Sequence, residues 1–326
     1  MHTIKAGPRK ETPKSPKTVL YRRFQAIGLS FTQLLRQIFM DRRPFSPAEW
    51  SGAIAFLLFF LLWPVSSYLA VIPLLLFVIS CAVFPFFPKS SFFLPVIYKG
   101  ASDGKAVSLT FDDGPDPAST PALLRLLETY GITATFFVTG QNARRYPEII
   151  RDILAKGHTI GNHTYTHDAF IMFRTTRTLE SEVKATQKVF GELGFSANLF
   201  RPPVGITTPR FADVIHRTGL LTVTFSRRAG DMGNRRIRNL STRILNGIEP
   251  NDIILLHDVL PKRPGNLEEW LREVERILLG IREKGFEIVP LGALIGRQVM
   301  LMHSEAASRM RPLNKKRNKN RNQELN

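Results

Sequence analysis

Residues 105–115 read KAVSLTFDDGP, a run of small, branched and aromatic residues that ends in two adjacent aspartates and a Gly-Pro turn. The apolar part, 106–111, has the composition of a buried β-strand, and the turn marks where the strand ends. Further strands are predicted along the chain at 132–138, 157–161, 198–201, 221–225, 252–257 and 286–290. Helical periodicity lies between them, at 120–130, 143–156, 177–193, 207–219, 238–247 and 266–284. Alternating strands and helices predict an α/β fold with a parallel sheet, either closed as a barrel or doubly wound.

The charge of the chain is concentrated at its two ends. The 326 residues carry a formal net charge of +18. Residues 1–50 have ten Lys/Arg against three Asp/Glu, and residues 303–326 have seven against two, whereas 100–302 have a surplus of only four. Basic ends meet anionic surfaces, so anionic lipid is the expected partner, and nucleic acid is disfavoured because an apolar stretch follows the basic N-terminus. The single cysteine, Cys81, excludes an internal disulfide and a cysteine-only metal site.

Residues 52–87 contain no charged side chain. About 20 apolar residues cross a bilayer core of about 30 Å, so this stretch is too long for one straight span and slightly short for two. Pro64, Ser66 and Ser67 predict a break near the middle and a hairpin of two short helices, with one span and an interfacial lead-in as the alternative. The basic flank places the N-terminus in the cytoplasm. One crossing would put the rest of the chain outside, and a hairpin would return it inside.

These patterns divide the chain into four regions. Residues 1–50 are predicted to be basic and partly disordered, with a helix at 19–40 that lies on a membrane or on the protein surface. Residues 51–88 form a transmembrane segment or hairpin, 100–298 a globular α/β domain, and 303–326 a basic disordered tail. The tail is interpreted either as a lipid-binding segment or as a solvated extension.

Two of the predicted strand ends carry residues with the chemistry of a metal site. Asp112 and Asp113 follow the first strand, where a bound cation would relieve their repulsion and let one be a ligand and the other a base. The alternative is an ordinary Asp-Asp-Gly-Pro turn. His163 and His167 can face one metal if the backbone makes a helical turn between them. With a carboxylate they form a His, His, Asp set with an open position for water, as in a catalytic zinc site, and two unrelated surface histidines are the alternative.

Two further strand ends carry an arginine and a histidine. Arg201 opens the sequence RPPVG, whose prolines fix a turn that can hold a guanidinium against a carboxylate and present a backbone N–H to an oxyanion. A rigid loop with a solvated arginine is the alternative. His257 ends the strand at 252–257. A lone histidine there is more often structural, and as a general acid it needs a partner, for which Asp231 is the candidate.

The order of four motifs carries a family resemblance. TFDDGP at 110–115, HTYTH at 163–167, RPPVG at 201–205 and LLHD at 255–258 together resemble the NodB-type polysaccharide deacetylases of carbohydrate esterase family 4, over residues 105–295. The resemblance implies a distorted (β/α)7-type barrel, the NodB homology domain, over 100–298. It implies a metal-dependent hydrolase that removes an N-acyl group, typically N-acetyl, from an amino sugar of a polysaccharide, peptidoglycan or lipid-linked glycan. A catalytically inactive carbohydrate-binding module on the same fold is the alternative.

The resemblance also implies a metal site and a base. Asp113, His163 and His167 match the ligands of a divalent metal, usually zinc and in some members cobalt, manganese or nickel. Asp112 matches the catalytic base. Arg201 matches the arginine that orients this base.

Five other positions are assigned to acid catalysis and substrate binding by the same resemblance. His257 matches the general acid, and Asp231 matches the aspartate that holds and tunes it. The backbone N–H of Val204 is expected to hold the tetrahedral oxyanion. Met232 and Leu255 are expected to line the acyl pocket and the substrate groove.

Three positions depart from the family pattern. Val204 stands where the family often has Tyr, Met232 where it often has Trp, and Phe225 where another Trp is frequent. Arg227 and Arg228 follow Phe225. A groove with less aromatic surface and more positive charge predicts an altered substrate that carries phosphate or lipid.

The resemblance places the protein at a bacterial cell membrane, bound through residues 51–88, with an amino-sugar glycan as its substrate. It favours the extracytoplasmic side for residues 100–298. The basic flank and a hairpin favour the opposite side, so both alternatives stay open on the sequence.

Overall fold

The computed structural model describes residues 43–261 and 266–303. The described residues from Phe45 onward belong to one compact unit. The predictions for the basic N-terminal region and for the basic C-terminal tail fall largely on residues outside the described ranges.

Two apolar helices precede the α/β domain. Helix α1 spans Pro47–Leu62 and helix α2 spans Ser67–Val83, followed by a 3-10 turn at Phe84–Phe86. Helix α1 begins with a capping box, in which the Ser46 hydroxyl accepts from the Glu49 N–H and the Glu49 carboxylate accepts from the Ser46 N–H. The predicted break therefore exists, and the two helices are separate.

The two helices form an antiparallel pair. Gly52 of α1 packs on Phe77 of α2, so closely that a Cβ at position 52 would lie 2.9 Å from the Phe77 ring. Small residues let helix backbones approach in this way. Within the described residues, one helix, Ser67–Phe86, is long and apolar enough to span a membrane, and Pro47–Leu62 is apolar but shorter.

The base of this helical pair is joined to the α/β domain. The Ala48 N–H donates to the Phe92 carbonyl over 2.9 Å. Thr207 N–H donates to the Pro85 carbonyl, and the Thr224 hydroxyl donates to the Pro88 carbonyl over 2.6 Å. Both ends of the pair therefore lie against the same domain.

Ten strands follow in the described residues. They are β1 (Ala106–Asp112), β2 (Thr135–Val138), β3 (Thr159–Asn162), β4 (Phe195–Ala197), β5 (Leu199–Phe200), β6 (Leu221–Thr222), β7 (Arg227–Arg228), β8 (Ile253–His257), β9 (Glu287–Ile288) and β10 (Met300–Met302). Eight form one parallel sheet in the order β6-β5-β3-β2-β1-β8-β7, with β9 paired to the start of β1. Strands β4 and β10 form a separate antiparallel pair. No β6–β7 pairing closes the sheet within the described ranges, so it is a curled half-barrel.

Eight α-helices flank the sheet in the described part of the chain. They are α3 (Ser119–Thr129), α4 (Gly140–Arg145), α5 (Pro147–Ala155), α6 (Thr176–Glu192), α7 (Pro209–Thr218), α8 (Leu240–Leu245), α9 (Asn266–Glu283) and α10 (Leu291–Ile295). The single helix predicted at 143–156 is wrong in one respect, because it is two helices that meet at Tyr146. Pro147 disfavours helical backbone at the residue before it, so α4 ends there and α5 starts with the proline.

Strand β1 is the centre of the domain. Each of its residues is buried, and the apolar core around it includes Phe136 of β2 and Trp270 of α9. The register places Asp112 at the end of β1 beside Phe137 of β2 and His257 of β8. Because parallel strands end at the same edge, the segments that follow them meet there.

Candidate active site

A cavity at this edge of the sheet collects the predicted motifs. Its volume is about 670 Å³, within the range of small-molecule sites. Nine of the ten predicted site residues line it: Asp112, Asp113, His163, His167, Val204, Asp231, Met232, Leu255 and His257. The tenth, Arg201, lies behind the wall and is fully buried.

Three side chains converge closely enough to share one ion. Oδ1 of Asp113 lies 3.3 Å from Nε2 of His163 and 3.1 Å from Nε2 of His167, and the ligand atoms of all three lie within 4.8 Å of one another. Oδ1 of Asp113 is buried but accepts no well-directed hydrogen bond from a described residue. A buried acceptor without a donor is costly, and a cation at this point would remove the cost. Two imidazoles and one carboxylate fit a divalent ion that keeps an open coordination position.

The hydrogen bond made by Nδ1 of His163 determines which nitrogen of the ring can bind a metal. Nδ1 lies 2.7 Å from the Arg201 carbonyl, which can only accept, so Nδ1 carries the proton and Nε2 presents its lone pair toward Asp113. The loop that carries His167 is held by Glu182, whose Oε2 accepts from the N–H of Tyr165 at 2.9 Å and of Thr166 at 2.8 Å.

The helical turn predicted between the two histidines is wrong. Residues 163–167 form a loop, and Thr164 and His167 have positive φ values of 63° and 54°. The left-handed residues turn the chain back, so the two rings lie with centroids 4.9 Å apart without a helix between them. Left-handed backbone in residues other than glycine stores strain that the surrounding structure must offset.

The electrostatics of the three side chains are strongly coupled. Burial alone raises the pKa of Asp113, but the adjacent rings of His163 and His167 outweigh it and hold this carboxyl well below its usual range. Burial lowers the pKa of His163, but the carboxylates of Asp112 and Asp113 raise it above its usual value. Burial and the neighbouring His163 lower the pKa of His167 despite the same carboxylates. A proton on His163 competes with a metal ion, so acid weakens metal binding.

Asp112 is held by Arg201, whose guanidinium is itself fixed by hydrogen bonds from each of its nitrogens. Nη1 of Arg201 donates to Asp112 Oδ1 over 2.6 Å and to the Thr110 hydroxyl over 2.7 Å. Its other nitrogens donate to the carbonyls of Val223 and Thr224, and the guanidinium lies 3.9 Å from the ring centroid of Phe137. Burial lowers the pKa of Arg201, although the Asp112 charge opposes this, and arginine stays charged in proteins. Asp112 Oδ2 remains directed toward the metal-type site, 3.8 Å from His163 Nε2.

His257 and Asp231 form the other side of the cavity. Nδ1 of His257 lies 2.8 Å from Asp231 Oδ2, so this nitrogen donates and Nε2 is left for the cavity. Burial lowers the pKa of His257, but the hydrogen bond and the charge of Asp231, with the charges of Asp113 and Asp112, raise it to about 9. The ring is therefore protonated at neutral pH and can give up a proton.

The comparisons with known proteins identify the family. The family profile described as polysaccharide deacetylase matches residues 99–223. A chitooligosaccharide deacetylase of Azorhizobium caulinodans is 33% identical over 196 residues, which cover 57% of this chain and 92% of that protein. This chain belongs to the polysaccharide deacetylase family. A peptidoglycan-N-acetylglucosamine deacetylase of Bacillus cereus is 30% identical over 202 residues, which cover 61% of this deacetylase and 92% of that protein.

Solved structures agree with this assignment. A crystal structure of a peptidoglycan N-acetylglucosamine deacetylase aligns with a TM-score of 0.58 and 26% identity over 63% of this deacetylase and 94% of that chain. A structure described as a T48 deacetylase with substrate aligns with a TM-score of 0.54 and 28% identity over 61% of this chain and 96% of that one. The predicted α/β fold and the predicted metal-dependent amino-sugar deacetylase activity are confirmed at the level of the family.

The three positions predicted to bind substrate differ in exposure. The side chains of Val204 and Met232 are exposed at the mouth of the cavity, whereas Leu255 is buried in its wall. Val204 and Met232 both have φ near 53°. The N–H of Val204 makes no hydrogen bond to any residue of 43–261 or 266–303, so this donor is available to a ligand.

Sequence reasoning missed three residues that hold the site together. The Thr110 hydroxyl connects Arg201 to the carbonyl of Ile254, and inside a buried strand it resembles an ordinary branched residue. The Asn234 amide donates to the carbonyls of His257 and Val259, which fixes the end of β8. The third is Asp258, which belongs to the LLHD motif but has no role assigned by the sequence.

Asp258 ties the loop after β1 to the end of β8. Its carboxylate accepts from the hydroxyls of Ser119 at 2.8 Å and Thr120 at 2.6 Å, at the start of α3. Burial raises the pKa of Asp258 to about 7, although the two hydroxyls lower it. Gly114 passes so close that a Cβ there would lie 2.6 Å from Asp258 Oδ2. This contact explains why the loop contains glycine after Asp113.

Proposed function

We propose that this deacetylase hydrolyses the acetamido group of an N-acetylglucosamine unit, and that the residues gathered in the cavity carry the reaction. The convergence of Asp113, His163 and His167 beside Asp112 and opposite His257 is the observation that carries this proposal. The similarity to deacetylases named for chitooligosaccharides and for peptidoglycan N-acetylglucosamine supports the choice of sugar.

The proposed metal ligands are Asp113, His163 and His167. They would hold a divalent ion, for which zinc is the first choice and cobalt, manganese and nickel are alternatives, and whose chemistry is to polarise the amide carbonyl and acidify water. The carbonyl of Arg201 keeps the proton of His163 on Nδ1, so Nε2 stays available as a ligand.

Asp112 is the proposed general base. Arg201 donates to Oδ1 and orients the carboxylate, so the free Oδ2 faces the place where water attacks. As the water oxygen bonds to the amide carbon, its proton passes to Asp112. The carbonyl oxygen becomes an oxyanion, and the unpaired N–H of Val204 donates to it.

His257 is the proposed general acid. Asp231 holds its Nδ1–H and raises its pKa, so the ring carries the proton that the departing nitrogen needs. When the carbon–nitrogen bond breaks, Nε2 protonates the amine. The products are a carboxylic acid, acetate for an N-acetyl substrate, and a free amino sugar.

We also infer that helices α1 and α2 insert into the cell membrane as a hairpin. Their apolar side chains point outward and are exposed along both helices. Because the Ala48 N–H bonds to the Phe92 carbonyl, the catalytic domain stays on the same side of the membrane as the N-terminal region. Basic residues flank the hairpin, and the connection Trp63–Ser66 is uncharged. The distribution favours the cytoplasmic side, opposite to the side that the family resemblance suggests.

The catalytic proposal is tested by acetate release from an N-acetylated chitotriose. The full chain is purified in detergent, loaded with zinc, and compared with Asp112→Asn and with Asp152→Asn, an exposed aspartate on α5. Loss of a positioned general base lowers the rate by about 10²- to 10⁴-fold, so we expect that loss only in Asp112→Asn. Equal rates in the two variants would refute the assigned base, and a metal-loaded wild type without activity would favour the inactive binding module.

The membrane proposal is tested by labelling. A Lys284→Cys substitution in the exposed turn that follows α9, in a Cys81→Ser background, provides one reactive thiol. We expect a membrane-impermeant maleimide to label it only after the cells are permeabilised. Labelling in intact cells would overturn the proposed side.

A further inference from the structure

Two arginines in the wall of the cavity form no ion pair with the described residues, and one of them, Arg228, lies 5.6 Å from the ring centroid of Phe225. Arg228 and Arg235 line the same cavity as Asp113 and His257. Both are exposed, and neither guanidinium forms a hydrogen bond or an ion pair with the residues described in 43–261 and 266–303. Arg227 next to them differs, because its guanidinium bonds to the Asn246 carbonyl and lies near Asp252.

The acidic residues of the cavity are already engaged. Asp112 is paired with Arg201, Asp113 lies against the two histidines, and Asp231 holds His257. Positive charge from Arg228 and Arg235 is therefore left for a ligand. Guanidinium groups bind phosphate through paired N–H donors, and a neutral sugar offers them no anionic acceptor.

The mouth of the cavity is aliphatic. Val204, Met232 and Leu260 line it with side chains that are 50%, 57% and 46% exposed. Exposed aliphatic side chains that surround a binding cavity mark contact with an apolar ligand or with a membrane.

The loop that carries Val204 packs against Pro88, in the segment that follows the hairpin. A Cβ at Gly205 would lie 3.5 Å from the Pro88 ring, and the Pro88 carbonyl accepts from the Thr224 hydroxyl. Pro88 is two residues beyond Phe86, where the membrane-length helix ends, a distance of about 7 Å in extended chain. The mouth of the cavity therefore lies at the level where the hairpin would leave a bilayer, and Phe86 and Phe87 are exposed beside it.

Resting on the proposed deacetylation, we infer that the substrate is an amino sugar joined through phosphate to a membrane lipid. Arg228 and Arg235 bind the phosphate, and the lipid chain leaves over Val204, Met232 and Leu260 toward the hairpin. The sugar nitrogen reaches the catalytic groups while the lipid stays in the membrane. Water cleaves only the amide bond, and the phosphate linkage is unchanged.

Three probes separate the parts of this inference. The full chain in lipid nanodiscs is given N-acetylglucosaminyl phosphate linked to a polyprenol, water-soluble N-acetylglucosamine 1-phosphate, and neutral tri-N-acetylchitotriose. We expect kcat/KM to fall in that order, by about tenfold or more at each step, the effect of one charge-assisted contact or of several buried methylenes.

Variants test the residues. Arg228→Gln with Arg235→Gln should reduce the preference for the lipid phosphate over the neutral trisaccharide by about 10- to 100-fold, and Leu260→Ser should reduce the preference for the lipid phosphate over the soluble phosphate. Arg151→Gln, an exposed arginine of α5 outside the cavity, should change neither ratio. Bound metal and thermal unfolding are measured for every variant to establish that it is folded.

Each outcome decides between the proposals. A soluble phosphate that is as good as the lipid phosphate overturns the lipid part, and a neutral trisaccharide that is as good as either overturns the whole inference while the deacetylase stands. Unchanged ratios in the arginine variant overturn the assigned phosphate site. Failure to hydrolyse any probe with metal bound refutes the proposed function itself.

Discussion

Replacing Asp231 with Asn changes one charge beside the proposed acid and keeps a hydrogen-bond acceptor in place. In the protein, Asp231 holds His257 and raises the pKa of the ring to about 9 from the ordinary 6.5. Each pH unit corresponds to 1.36 kcal/mol, so the difference is worth about 3 kcal/mol. Without the charge of Asp231, only the carboxylates of Asp113 and Asp112 oppose the effect of burial, and we expect the pKa to fall toward the ordinary 6.5.

The consequence for turnover follows from the fraction of protonated ring. At pH 8 a group with a pKa of about 9 is about 90% protonated, and one with a pKa of 6.5 is about 3% protonated. The kcat of Asp231→Asn should therefore fall about 30-fold at pH 8 and approach that of the wild type near pH 6. A bound cation moves both profiles to lower pH, so the separation between the two alkaline limbs is the measured quantity.

The assay is acetate release across pH 5.5 to 9.5 at saturating substrate, with Asp152→Asn as the matched control. An alkaline limb that coincides in Asp231→Asn and the wild type would refute the assignment of His257 as the acid. A uniform loss of activity at every pH would point to a structural role for the pair.

Three other substitutions test the structure. Arg201→Met leaves a buried carboxylate without its partner and should lower the free energy of unfolding by about 3–5 kcal/mol in urea titrations, and a stability equal to the wild type would contradict the buried ion pair. Gly114→Ala should cost about 1–3 kcal/mol because its Cβ would meet Asp258, whereas Gly104→Ala, where no atom lies within 4 Å, should be close to neutral in thermal unfolding. Burial lowers the pKa of His158 to about 4, so the unfolded chain binds a proton more readily than the folded one. The free energy of unfolding should therefore fall by about 3 kcal/mol from pH 7 to pH 4. His158→Gln should flatten this pH dependence, and an unchanged slope in the variant would refute the assignment.

The positions of most strands in the parallel sheet were accessible to sequence reasoning because burial on both faces leaves a clear apolar signal. The strand at 106–111 is β1, and six other predicted strands overlap β2, β3, β5, β6, β8 and β9. Strand β7 was missed because Arg227 and Arg228 have the composition of a loop, and only their pairing with β8 makes them extended. Strands β4 and β10 were missed because their pairing joins segments about 100 residues apart.

The sequence identified residues that line the cavity, but not the backbone conformation that brings them together. The motifs follow parallel strands, so their meeting at one edge could be expected from topology alone. The positive φ values of Thr164 and His167 could not, because positive φ is uncommon in residues other than glycine and depends on tertiary contacts. Arg228 and Arg235 line the cavity because the loops that carry them turn toward it. The sequence shows that these loops contain arginines, but it does not show which way the loops turn.

The hydrogen bond that joins Ala48 to Phe92 links the start of the proposed membrane hairpin to the segment that follows it, so the hairpin is held against the deacetylase domain. With the hairpin in a bilayer, the deacetylase domain would stay next to the membrane surface and would not extend away from it on a flexible linker. Its encounters with substrate then depend on lateral diffusion within a thin layer, and enzyme and substrate concentrations count per unit area instead of per unit volume. Glycans that extend far from the lipid surface lie beyond its reach.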